Sequence, residues 1–254
     1  MNKINNILVI GTGNVGSHLA IELKKNIKNL FIYGRNKEEL NQLEVNHGLK
    51  SISSLNNLSK KVELILVAVN DNSVSDVIMQ LPKGIPIAYT SGSVKLNDIK
   101  RANTGVFYPL QTFTKNKSLY LANVPFLIEA NSKELEQKLI DLAKLITAEV
   151  HLADSDKRAH LHLAAVFANN FTNHMYHLSA SYLKQNNLSF DLLIPLIQET
   201  TEKIKTLPPE KAQTGPAHRK DYETMKTHEK KLTGSSLEIY KIISASILNL
   251  NSEK

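Results

Sequence analysis

Ile7-Leu8-Val9-Ile10-Gly11-Thr12-Gly13-Asn14-Val15-Gly16 runs an apolar strand into a glycine-rich turn, and 17–25 continues it with Leu19, Ala20 and Leu23 at helical spacing. Strand, Gly-x-Gly-x-x-Gly turn and helix in that order make a cradle for a pyrophosphate. Gly11 permits the tight turn, Gly13 lets the backbone approach the phosphates with no Cβ in the way, and Gly16 lets the helix pack closely on the strand. The helix N-terminus offers free N–H groups and partial positive charge to the anion. Thr12, Asn14 and Val15 lie in the same turn and join the glycines as cofactor contacts. A purely structural turn can match the glycine pattern; the flanking strand and helix argue for the dinucleotide.

The end of the second strand separates one cofactor from another. Proteins that use NAD usually carry an acid there, which accepts from the ribose 2′-hydroxyl and repels a 2′-phosphate. The strand Leu30-Phe31-Ile32-Tyr33 ends instead in Gly34-Arg35-Asn36. Arg35 can make a bidentate, charge-assisted contact to a phosphate, and Asn36 can both donate to it and cap the next helix. The expected cofactor is NADP, the alternative being an ordinary exposed arginine at a strand end.

Composition narrows the remaining classes. The 254 residues can form one large domain or two smaller ones with cores of their own. The absence of cysteine excludes disulfides, thiolate nucleophiles and sulfur-based zinc sites, and fits a cytoplasmic protein. No apolar run approaches membrane-spanning length. The net charge of +7 is spread singly or in pairs, as at Lys24-Lys25, Lys60-Lys61 and Lys230-Lys231, and alternates with Glu along helices. That reads as solvated helix faces and not as a nucleic-acid surface. The positive field helps draw in an anionic cofactor.

The rest of the chain supplies the architecture. A helix over 37–46 and a short strand at 51–55 precede Val62-Glu63-Leu64-Ile65-Leu66-Val67-Ala68-Val69, apolar enough for a strand buried on both faces. In an open α/β sheet ligands sit beyond the carboxyl ends of the strands, which places Val69 and Asn70 on the cofactor side. A strand at 86–89 leads to Thr90-Ser91-Gly92-Ser93, with Ser91 at the same edge, and a strand at 105–108 leads to Pro109-Leu110-Gln111. Strands at 125–130 and 149–152 flank a helix over 132–146. This alternation predicts an α/β fold, a doubly wound and mostly parallel Rossmann sheet. From Asp154 the strand period disappears: one long helix runs to about 184, and further helices span 190–207, 221–232 and 235–248. The expected division is a cofactor-binding domain at 1–153 and an all-α domain at 154–254.

An NADP-type Rossmann domain followed by a helical domain that opens with one very long helix resembles the superfamily of 6-phosphogluconate, ketopantoate and pyrroline-carboxylate reductases and dehydrogenases. Pro109-Leu110-Gln111-Thr112-Phe113, Val166-Phe167-Ala168-Asn169-Asn170-Phe171-Thr172-Asn173-His174 and Thr214-Gly215-Pro216-Ala217-His218-Arg219-Lys220-Asp221 are similar to segments of a bacterial Rossmann-like family whose helical domain has no assigned function. Its members are labelled NADP-dependent oxidoreductases by inference from the fold. The resemblance implies a homodimer paired through the helical domain.

In the hydroxyacid dehydrogenases of that superfamily the long helix carries a lysine as general acid/base and, one turn later, an asparagine that orients substrate. The asparagine corresponds to Asn169, and the lysine position is Ala165. An alanine transfers no proton, so that mechanism does not carry over. His162 is the first choice of replacement, since histidine titrates nearest neutrality and straight helical periodicity puts it on the face of Asn169. Polar residues on two stripes of this helix suggest that it is buried on most sides, and the competing reading of its histidines is core structure. Tyr108 and Gln111 at the rim can donate hydrogen bonds to a substrate oxygen. His160 and His162 point about 200° apart and cannot share a metal, and His174 with His177 lack a neighbouring carboxylate, so no metal site is expected. Ser91-Gly92-Ser93 lacks the strand-to-helix context of a hydrolase nucleophile. A methyltransferase is disfavoured by Arg35 and by the number of later strand–helix units.

The expectation is an NADP(H)-dependent oxidoreductase that moves a hydride between nicotinamide and a small carbonyl, imine or hydroxy-acid substrate in an interdomain cleft. The alternative is a non-catalytic NADP(H)-binding sensor or partner-binding protein.

Overall fold

Side chains alternate along the central strands, and that alternation builds two cores on one sheet. In β1 (Asn6–Ile10) Ile7 and Val9 face one side while Leu8 and Ile10 face the other, and in β4 (Leu64–Val67) Leu64 and Leu66 oppose Ile65 and Val67. All eight are almost wholly buried, as parallel strands covered on both faces require. The computed structural model describes residues 4–55, 58, 61–115 and 117–250. Lys60 of the expected Lys60-Lys61 pair lies outside the described residues.

The chain divides into two units, Met1–Asn170 and Phe171–Lys254. The first holds an eight-stranded sheet in the order β3-β2-β1-β4-β5-β6-β7-β8, with β2 at Asn29–Tyr33, β3 at Lys50–Ser51, β5 at Ile87–Tyr89, β6 at Thr104–Pro109, β7 at Phe126–Ala130 and β8 at Val150–Leu152. Every pairing is parallel except β6 with β7. The strand expected at 51–55 is reduced to two residues paired with Phe31 and Ile32. Helices α1 (Asn14–Lys24), α2 (Lys37–His47) and α4 (Lys133–Ala143) contribute Leu19, Leu23, Leu43, Leu135 and Leu139 to the core that includes Ile7 and Val9. Helix α3 (Asp71–Gln80) contributes Val74 and Ile78 to the opposite core. The sheet is therefore doubly wound, and strand order reverses between β1 and β4, the crevice where such sheets bind ligands.

Helix α5 (Ser155–Ala165) starts at Asp154, whose side chain accepts from the Lys157 N–H at 2.8 Å. It passes into a π turn at Val166–Phe171 before α6 (Thr172–Gln185) continues. The second unit adds α7 (Ile194–Lys203), α8 (Pro209–Ala212), α9 (Tyr222–Glu229) and α10 (Gly234–Leu250). The helix expected over 190–207 begins later as α-helix, because a 3₁₀ turn at Phe190–Leu193 leads in and Pro195 sits in the first turn of α7. Among the described residues no helix is long and apolar enough to cross a membrane.

One contact fixes the sheet end. Gly11 has φ +121°, and a Cβ there would lie 2.1 Å from the Ala68 carbonyl oxygen; a Cβ on Gly16 would lie 2.2 Å from the Gly11 oxygen. Gly11→Ala is accordingly expected to cost at least about 2 kcal/mol in urea unfolding, from backbone strain and overpacking together. An unchanged unfolding midpoint would contradict this packing.

Candidate functional site

The carboxyl ends of β1, β2, β4, β5 and β6 meet at one rim, and the glycine-rich turn forms its first part. Gly13 is the N-cap of α1, provides no side-chain cap to the first-turn N–H groups, and has no atom within 4 Å of the position a Cβ would take. That open space beside uncapped N–H groups fits a pyrophosphate, whose oxygens would accept from the first turn. Val15 is half-buried in this turn and packs against the core. Asn14 is anchored, its Nδ2 donating to the Phe113 carbonyl at 2.9 Å.

At the end of β2, Thr12 packs so closely on Gly34 that a Cβ there would meet Thr12 Cγ2 at 2.5 Å. Asn36 caps α2, accepting from the Glu38 and Glu39 N–H groups at 3.0 and 3.2 Å. Arg35 is exposed, with no ion-pair partner among the described residues. Sequence reading found no acid here, but the fold brings one in. Glu39 accepts from Thr12 Oγ1 at 2.6 Å and from Lys115 Nζ at 2.5 Å. The Lys115 and Thr12 hydrogen bonds hold its carboxyl below the usual carboxylate range. The signal was the spacing Asn36-x-x-Glu39, a capping-box pattern whose acid turns toward the cradle instead of back on its own helix.

On the β4 side, Val69 is half-buried and Asn70 is the exposed N-cap of α3, its side chain making no cap hydrogen bond. Ser91 is buried, and its Oγ accepts from the Ser93 and Val94 N–H groups at 3.2 and 3.1 Å. Its hydroxyl thus holds the turn after β5. Ser93 donates its hydroxyl to the Asp71 carboxylate.

Three elements converge on one side-chain pair. Tyr108, near the end of β6, and His162, on α5, are hydrogen-bonded through the phenol oxygen and Nδ1 at 3.1 Å, with ring centroids 6.1 Å apart. Gly92 closes over them, since a Cβ there would lie 2.8 Å from both His162 Nδ1 and Tyr108 Cζ. Burial, aided by the nearby Asp71 charge, pushes the Tyr108 phenol up and keeps it protonated. Tyr108 is the rim side chain that meets His162; Gln111 is exposed and its amide oxygen accepts from the Thr112 N–H at 2.8 Å.

The π turn alters the expected alignment on this helix. It closes i→i+5 where an α-helix closes i→i+4, so one extra residue enters the turn after Ala165. Straight α-helical periodicity therefore does not carry from His162 across Asn169 and Asn170, which both lie within the π turn. The helix is also not buried on most sides: no residue of α6 is buried, and Leu161, Leu163, Phe167 and Phe171 are exposed. The stripes of polar residues follow solvent exposure, not a core environment. His174 and His177 stack with centroids 6.0 Å apart. Among the described residues no group of three His, Asp or Glu side chains is placed to hold a metal ion.

The sequence reading missed what holds His162 in place. Arg158, one turn earlier on α5, is 1% exposed and ion-paired with Glu129 of β7. It donates to the Val94 carbonyl at 2.6 Å, while Ser155 Oγ accepts from the Leu96 N–H at 2.9 Å and donates to Glu129 at 2.9 Å. The first turn of α5, β7 and the 94–96 segment are thus locked together, which sets Gly92 against the pair. The only sequence trace was a glutamate inside the apolar strand Phe126-Leu127-Ile128-Glu129-Ala130.

Residues 6–98 match the NAD binding domain of 6-phosphogluconate dehydrogenase. Residues 124–247 match a domain of unknown function, DUF2520. A Bacteroides fragilis protein, whose crystal structure is described as that of a provisional NADP oxidoreductase, is 34% identical and superposes with a TM-score of 0.89 over 96% of this chain and 98% of its own. The chain belongs to the family of that protein, in which an NAD(P)-binding Rossmann domain is followed by a DUF2520 domain. A Thermotoga maritima protein at 22% identity and TM-score 0.72, covering 97% of this chain and 98% of its own, shares the fold. So does the reductive aminase of Aspergillus terreus, solved with NADPH and ethyl-5-oxohexanoate, at 14% identity and TM-score 0.71 over 99% of this chain and 95% of its own. No protein of curated function matches the sequence. The first unit is thus an NAD(P)-binding domain of oxidoreductase type within the 6-phosphogluconate dehydrogenase-like superfamily.

Removing one partner of the buried pair strands the other charge. Glu129→Ala and Arg158→Met are each expected to lose about 3–5 kcal/mol in chemical unfolding. A loss below about 1 kcal/mol, the range of a surface ion pair, would contradict the clamp.

Proposed function

We propose that the protein is an NADP(H)-dependent reductase or dehydrogenase acting on a small carbonyl, imine or hydroxy acid, with residues 1–153 as its cofactor domain. The observation that carries this reading is the Tyr108–His162 pair, placed at the same rim as the glycine cradle. When bound, the nicotinamide supplies or accepts a hydride. In the reductive direction the Tyr108 hydroxyl gives a proton to the substrate oxygen or nitrogen as the substrate carbon is reduced. His162 then returns a proton to the phenolate through their hydrogen bond and is recharged from solvent. In the oxidative direction the same protons run backwards. This pair takes the place left empty by Ala165, and Asn169, Asn170 and Gln111 offer amides to hold the substrate. Val69, Asn70 and the turn at Ser91 line the cofactor side of the rim.

The NADP preference rests on Arg35, exposed and without an ion-pair partner at the end of β2 among the described residues, with Gly34 letting Thr12 of the cradle pack beside it and Asn36 next in the chain. Pairing of two copies through the helical residues fits the exposed apolar side chains there, among them Leu192, Leu196, Ile242 and Leu250. Ala165 favours a second reading, binding of NADP(H) without turnover.

Two experiments test the reading. NADPH is expected to raise the melting temperature more than NADH, with Arg35→Ala removing most of the difference and Gly13→Ala abolishing both shifts while the apo protein stays as stable as wild type. Equal stabilisation by the two cofactors would sink the role of Arg35. NADPH oxidation with a panel of ketones, ketones plus amines and keto acids is expected to fall by about 10²–10⁴-fold in Tyr108→Phe and His162→Ala with cofactor affinity unchanged. Full activity in both variants would remove the pair from the chemistry, and steady NADPH with every compound would favour the second reading.

A further inference from the structure

Lys115 comes from the segment after β6, far along the chain from the end of β2, yet it is fixed beside the cradle. Phe113 accepts from Asn14 Nδ2 at 2.9 Å, its ring meets His18 edge-on at 5.3 Å, and His18 Nε2 lies 2.8 Å from the Lys117 carbonyl oxygen. The segment is therefore seated on α1, and Lys115 Nζ reaches Glu39, which also holds Thr12. Thr12 in turn packs on Gly34, next to Arg35. The cation, the carboxylate and the cradle thus share the spot where a Rossmann fold holds the ribose of its dinucleotide. Thr12, Glu39 and Lys115 also line one end of a cavity of about 630 Å³ that continues between α1 and α2 to Leu43 and Leu121, so the three side chains border open space and are not sealed in the core.

Charge balance at this spot raises a problem that Arg35 does not solve alone. Glu39 is ionised and would repel a ribose phosphate, as the acid of an NAD-type strand end does. Arg35 and Glu39 cancel, and a site of zero net charge gives a dianion no advantage over a hydroxyl. Lys115 restores a net positive charge and, with its side chain about half-exposed, can turn from the carboxylate toward an arriving phosphate without leaving the site.

We propose that Lys115 is a specificity-determining residue that, with Arg35, recognises the 2′-phosphate of the cofactor, and that Glu39 holds it in position in the free protein. This rests on the cofactor reading above and adds a second cation from outside the β2 end. The test is calorimetric titration of the apo protein with NADP+ and with NAD+, which needs no substrate. Lys115→Ala is expected to weaken NADP+ about tenfold while NAD+ changes less than about twofold. Glu39→Gln is expected to tighten NADP+, and Lys115→Ala combined with Glu39→Gln to return NADP+ affinity to about the wild-type value, as charge compensation requires. Equal weakening of both dinucleotides by Lys115→Ala, or no weakening, would overturn the proposal, as would weaker NADP+ binding in Glu39→Gln. A wild-type protein that prefers NADP+ and keeps that preference in Lys115→Ala refutes Lys115 alone. A wild-type protein that binds neither dinucleotide refutes the cofactor reading as well.

Discussion

The approach of Gly11 to the Ala68 carbonyl oxygen is the constraint on which the rest of the rim depends. The N–H of Gly11 donates to the Tyr33 carbonyl at 2.8 Å, and the N–H of Ala68 to that of Ile10 at 2.7 Å. Three strand ends are drawn together within one turn of chain, and no side chain fits between them. With the β1–α1 turn pressed against β4, the start of α1 opens over the crevice where strand order reverses, and its N–H groups face outward uncapped. The ribose end follows from the same geometry, because Thr12 in that turn touches Gly34 and Glu39.

A second, independent clamp governs the other end of the rim. The Arg158–Glu129 pair is expensive to bury, and its surroundings repay part of that cost with hydrogen bonds to Val94 and Ser155. The arginine Nε has no partner among the described residues. What the network gains is position: it ties the start of α5 to the antiparallel strand and to the loop after β5, so that Gly92, Tyr108 and His162 meet within van der Waals contact. Glycine at 92 is needed for the same reason as glycine at 11, since any Cβ would push the histidine away from the tyrosine.

The fold was largely legible in the sequence because its signals are local. Period-two burial in β1 and β4, the glycine turn and the cap at Asn36 each concern a few neighbouring residues, and the alternation of elements leaves few topologies. The site was legible only where it, too, is local. Arg35 and His162 could be singled out, but the Lys115–Glu39 and Arg158–Glu129 pairs join residues 76 and 29 positions apart, and no periodic pattern announces them. The π turn at Val166–Phe171 was invisible for another reason: periodicity assumes a constant turn, and one inserted residue breaks the register between His162 and the asparagines of that turn.

These two clamps make a single claim, that one rim holds a dinucleotide at the glycine turn and presents the Tyr108–His162 pair to its reactive end. The most direct measurement is a crystal structure of the protein grown with NADP+. The account predicts pyrophosphate density on the N–H groups of the first turn of α1, beside Gly13, and the nicotinamide ring next to the Tyr108 hydroxyl. A nicotinamide ring lodged away from Tyr108 and His162, or density for the dinucleotide anywhere other than the β1–β4 crevice, would contradict it.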